Sequence, residues 1–152
     1  MSAPTRRALL LGAAGLALAR AVPAAAQDRT VAAVQELLAC EELAARAYHR
    51  EGMGAFAVRT RDHVRVLETQ LEAMGLLSFE VRGDELPAAG RLRDRGTALA
   101  LERALLERHR DALGRIEEPA IRRTVATIMA AHAQRLVVLE ANPLNALAAA
   151  GP

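Results

Sequence analysis

Three breaks divide most of this chain into four segments of helical length, and that division constrains its fold more than any other feature. The first segment spans about residues 28–51 and ends at Gly52-Met53-Gly54, where paired glycines favour a turn. The second covers about 55–74 and stops at Gly75. The third starts near Asp94, a suitable N-cap, and ends around Gly114. The fourth opens at Pro119, which fits a first helical position, and runs to about residue 140 before Asn142-Pro143. Two short connections flank a long one, LLSFEVRGDELPAAGRLR (76–93). This predicts an all-α four-helix bundle, two helical hairpins joined by a long crossover. An up-down-up-down bundle with one long loop is the alternative. No strand pattern competes in a chain rich in Ala and Leu and nearly free of aromatics.

The first 26 residues read differently. Arg6 and Arg7 precede an apolar stretch from Ala8 to Ala19, and Ala24-Ala25-Ala26 follows, the pattern of an export signal cleaved before Gln27. The paired arginines resemble a twin-arginine signal, although nothing after Leu10 supplies the usual lysine, and a Sec-type signal is the alternative. Residues 1–26 are thus expected to be a leader and 27–152 a single bundle domain, delivered to the periplasm, the cell envelope or the medium. The apolar stretch is short for a membrane span, so no stable span is expected after cleavage. The leader holds three of the twenty basic residues, which leaves 17 against 18 acidic ones and no electrostatic case for nucleic acid. One cysteine, Cys40, can form no internal disulfide and suits a small buried position. The sequence names no partner, and a homo-oligomer is compatible with it.

Steps of three and four trace a core-facing stripe along each segment. The first gives Val31, Val34, Leu38, Glu41, Ala45 and Tyr48; the second, Phe56, Thr60, His63, Leu67 and Met74. The third gives Leu99, Glu102, Leu106, His109, Leu113 and Ile116; the fourth, Ile121, Val125, Ile128, His132, Arg135 and Leu139. Every stripe carries polar groups near its middle. An unpaired buried carboxylate costs too much to survive, so these groups must meet one another, a metal or water. Glu42 and His49 fall beside the stripe and read as surface, as does most of the charged run RTRDHVR (59–65).

Two readings follow. In one, Glu41, His63, Glu102 and His132 supply one carboxylate or imidazole per helix to a site for iron, manganese or zinc. In the other, Arg135 and the histidines neutralise the two glutamates as a buried polar cluster, since a permanent cation inside a ligand sphere repels a metal ion. A short repeat accompanies both: HVRVLE (63–68) in the second segment matches RLVVLE (135–140) in the fourth. Glu41 precedes Tyr48 by seven residues, as Glu102 precedes His109. There is no glycine-rich phosphate loop, no Cys-x-x-Cys pair and no Ser-His-Asp arrangement in a hydrolase context. No catalytic residue is assigned.

The stretches IMAAHAQRLVVLE (128–140), NPLNALAAAG (142–151), EELAARAYHR (41–50) and RDHVRVLETQLEAMG (61–75) resemble exported bacterial ferritin-like domain proteins. That resemblance implies a glutamate from one helix of each hairpin and a Glu-x-x-His pair from the other, together holding two irons. The single glutamates fall on Glu41 and Glu102. The pairs fall on Thr60 with His63 and on His132 with Arg135, so only Glu41, His63 and Glu102 survive and both bridging carboxylates are lost. The resemblance therefore implies a degenerate di-iron motif without oxidase or ferroxidase competence, and a non-enzymatic exported protein. The alternative is a transition-metal protein in which His132 is a substituted ligand. Tyr48 falls where an aromatic often stands near the metal, and His109 is its counterpart in the second half.

Overall fold

The computed structural model describes residues 24–76 and 95–141. They form four helices and no strand: α1 (Ala24–Arg50), α2 (Gly54–Ala73), α3 (Arg95–Arg115) and α4 (Pro119–Ala141). The expected leader lies outside the described residues except for Ala24–Ala26, which form the first turn of α1. Residues 77–94 and 142–152 also lie outside them, including the long connection apart from Leu76, the N-cap expected at Asp94 and the tail with Asn142-Pro143.

Both helices of the first half end the same way. After α1, Gly52 takes φ +73°, Met53 N–H donates to the Tyr48 carbonyl at 2.9 Å, and Gly52 N–H donates to that of His49 at 3.2 Å. After α2, Gly75 takes φ +87°, Leu76 N–H donates to Leu71 at 3.1 Å and Gly75 N–H to Glu72 at 2.9 Å. These are two Schellman motifs, with glycine at the left-handed position because it has no Cβ to clash there. In each, the apolar residue after the glycine packs back onto the helix's core end, Met53 with Tyr48 and Leu76 beside Leu71.

Cross-helix pairs give the helix directions. Along α1, Arg29, Glu36 and Glu41 meet Glu117, Arg115 and His109 in turn, so α1 and α3 are antiparallel. Leu139, near the end of α4, packs with Ala98 and Leu101 near the start of α3, while Ile121, at the start of α4, packs with Ile116 just after α3, which with the short connection at 116–118 sets α4 antiparallel to α3. The tight glycine turn makes α2 antiparallel to α1. It follows that α2 and α3 run parallel. Each of α1 and α4 packs on both α2 and α3.

The core falls into two apolar halves. One holds Ala44, Ala47, Tyr48, Met53, Ala57, Ala98, Leu101, Leu105 and Leu139. The other holds Val34, Leu37, Leu38, Leu67, Leu71, Ile116, Ile121, Val125 and Ile128. The expected stripe of α4 is buried in every member, Ile121 to Leu139. That of α1 is buried except at Val31, which is half-buried. In α2, Thr60 and Leu67 of the expected stripe are buried, Ala57 and Leu71 are buried beside them, and Phe56, His63 and Met74 are half-buried. The stripe of α3 holds at Glu102, His109 and Ile116 and is corrected at its other members: Leu99, Leu106 and Leu113 sit at the core's edge, and Ala98, Leu101, Leu105 and Ala112 face the core instead. The buried face of α3 is wider than a single line of three- and four-residue steps and takes in positions on both sides of Glu102 and His109.

Candidate functional site

Between the two apolar halves lies a polar layer. Glu41, Thr60, Glu102, His109, His132 and Arg135 are all buried, and His63 closes the layer with 13% of its side chain exposed. All four predicted ligands, Glu41, His63, Glu102 and His132, stand in this one layer with Arg135. His109, which was placed on the stripe but not among the ligands, stands there too.

His132 is the centre of the arrangement. Its Nε2 lies 2.7 Å from Glu41 Oε1 and its Nδ1 lies 2.7 Å from Glu102 Oε2. Carboxylates only accept, so both contacts are hydrogen bonds when the ring carries two protons. Burial disfavours that cation, but the bonds to Glu102 and Glu41 outweigh it and push the imidazole up to about 9. Burial likewise opposes the Glu41 anion, yet contacts from His109, His132 and His63 hold it well below the usual carboxylate range.

The remaining partners divide between the two carboxylates. Glu41 Oε2 is 3.2 Å from His63 Nδ1, and Glu41 Oε1 is 3.2 Å from His109 Nε2. Glu102 accepts from the Tyr48 hydroxyl and, at 3.4 Å, from Arg135 Nη1, which also donates to Thr60 Oγ1 at 2.9 Å. The Tyr48 phenol is held protonated, by burial first and by the Glu102 charge second. Arg135 also stacks its guanidinium over Phe56, 5.5 Å from the ring centroid.

This layout follows the sequence repeat with partners exchanged. The residue seven after each glutamate serves the glutamate of the other half, Tyr48 serving Glu102 and His109 serving Glu41. The residue on the second helix of each hairpin serves its own half, His63 with Glu41 and Arg135 with Glu102. Thr60 and His132 occupy equivalent positions, and only the second carries a group able to bridge. The spacing of seven contained this signal, but the exchange between halves depends on the antiparallel contact of α1 with α3.

Two buried nitrogens, His109 Nε2 and Arg135 Nη2, have no hydrogen-bond partner among the described residues. For His109 the tautomer is fixed, because Nδ1 lies 2.8 Å from the Leu105 carbonyl and must carry the proton. Its Nε2 therefore carries a lone pair, 3.2 Å from Glu41 Oε1, whenever the ring is neutral. Single ligand atoms of Glu41, His109 and His132 lie within 4.8 Å of one another, the spacing of a group able to hold a metal ion.

Comparisons with family models, with curated proteins and with solved structures found no match. No helix among the described residues is long and apolar enough to cross a membrane.

Proposed function

We propose that this chain is an exported ferritin-like bundle in which cations belonging to the protein have replaced the metal pair, leaving a non-catalytic extracytoplasmic scaffold. The observation that carries this reading is His132, which reaches both buried glutamates at 2.7 Å. With that ring protonated and Arg135 against Glu102, two buried anions face two buried cations and the layer is neutral without a metal. The di-iron group does not fit these residues. Thr60 and Arg135 stand at two of the six positions where the resemblance calls for ligands, and the guanidinium would confront any ion held by Glu102. The ferritin-like topology is supported by the parallel course of α2 and α3, which leaves the end of one and the start of the other at opposite ends of the bundle, as a long crossover requires. Export rests on the leader pattern of residues 1–26.

Elemental analysis of the exported protein, purified without chelator, tests the central claim. The expected result is no iron pair and no oxygen uptake on adding iron(II). Two irons per chain with oxygen uptake would overturn it. N-terminal sequencing of the same material tests export, with Gln27 expected as the first residue.

A further inference from the structure

We propose that Glu41, His109 and His132 form a mononuclear site for a borderline divalent transition ion, a two-histidine, one-carboxylate site quite different from a di-iron centre. It rests on the reading above, in which the core has lost its metal pair but kept its charge balance through a proton. The ion takes the place of the proton on His132 Nε2, which leaves to solvent.

Four observations support this ligand set. First, all three residues are fully buried, and their ligand atoms are already grouped: His132 Nε2 is 2.7 Å and His109 Nε2 is 3.2 Å from the same oxygen of Glu41. An ion with ligands at about 2.0–2.1 Å needs them roughly 3.0–3.4 Å apart, so the His132 contact opens by only a few tenths of an ångström. Second, the buried His109 Nε2 has no hydrogen-bond partner although a carboxylate oxygen of Glu41 lies 3.2 Å away, and a cation coordinated by both would satisfy them. Third, both histidines have their other nitrogen held, His109 Nδ1 by the Leu105 carbonyl at 2.8 Å and His132 Nδ1 by Glu102 at 2.7 Å. Metal-binding imidazoles are oriented in this way, one by a backbone carbonyl and one by a carboxylate. Fourth, Arg135 lies on the other side of His132, paired to Glu102 and Thr60, so its charge is neutralised away from Glu41.

Two histidines and one carboxylate suit zinc and iron(II), and cobalt(II) serves as a spectroscopic probe of the same preference. His63 completes the surroundings without being a ligand here. It bonds the second oxygen of Glu41, stands edge-on to the His132 ring at 5.1 Å, and its partial exposure makes it the side from which an ion enters.

The test is titration of the chelator-treated exported protein with cobalt(II), followed by competition with zinc. The expected result is one cobalt per chain, visible bands of a nitrogen- and oxygen-ligated ion, and two shifted imidazole N–H protons in the paramagnetic proton spectrum, one from each Nδ1. His109→Gln should weaken binding by about 100-fold or more, while His63→Gln should change it by less than about tenfold, as a residue outside the ligand set. The two-proton signature is read on the unmodified protein, so the claim stays testable if His109→Gln does not fold. No binding, a single imidazole signal, or affinity unchanged in a folded His109→Gln would overturn this inference alone. Two metals per chain would overturn it together with the scaffold reading.

Discussion

Arg135 shows how a single residue settles the character of a buried layer. The residue is 5% exposed, and its guanidinium bonds Glu102 and Thr60 and lies over Phe56. Replacing it leaves Glu102 with a charge that only His132 offsets. Arg135→Ala is therefore expected to cost about 3 kcal/mol, in the range for breaking a buried pair from one side. Chemical denaturation checks this, and a loss below about 1 kcal/mol would mean that the guanidinium is not paired in the core. Adding Glu102→Gln should restore part of the loss, because the unpaired charge is then gone. The inward face of Arg135 was legible from its place three residues after His132 on a clean apolar stripe. Its contact with Thr60 was not, since no spacing within one helix reports what lies on another. His109 was legible as an inward residue but not as a neighbour of Glu41, which depends on the register of α1 against α3.

At the level of elements, the boundaries were readable where glycine or proline punctuates the chain. Gly52, Gly75 and Pro119 each mark an end that the structure places within a residue or two. The stripe of α3 held at Glu102, His109 and Ile116 but missed Ala98, Leu101, Leu105 and Ala112, because a single line of three- and four-residue steps picks one row from a buried face that is wider. The glycines yield a pair of opposite predictions. Gly52 sits at φ +73° in open space, so Gly52→Ala meets only backbone strain and should cost about 1 kcal/mol. Gly114 lies inside α3, again with nothing within 4 Å of an added Cβ, and Gly114→Ala should stabilise by about 0.5 kcal/mol. Thermal melts of the two variants should move in opposite directions; movement in the same direction would contradict the difference in backbone conformation.

For the whole molecule, the polar layer sets how stability depends on pH. The His132 imidazole is raised from 6.5 to about 9, so its contribution is complete below pH 6.5 and is lost as the pH rises through about 9, a loss of about 3 kcal/mol. Glu41 is displaced downwards, so its contribution holds above pH 4.5 and is lost as the pH falls towards its folded value. Stability measured with chelator present should therefore be greatest between about pH 4.5 and 6.5 and fall on the alkaline side; a flat profile from pH 6.5 to 9 would show that His132 does not carry the bridging proton. The exchange of partners across the pseudo-repeat has a further consequence. The first hairpin on its own would hold the Tyr48 phenol without Glu102, and the second would hold the His109 ring without Glu41, so neither half is a complete folding unit. Expressed separately, the two hairpins should be unstructured alone and should regain helicity only when mixed, or when one finds a copy of itself to supply the missing contacts. The duplicated pattern thus binds two weak halves into one cooperative molecule.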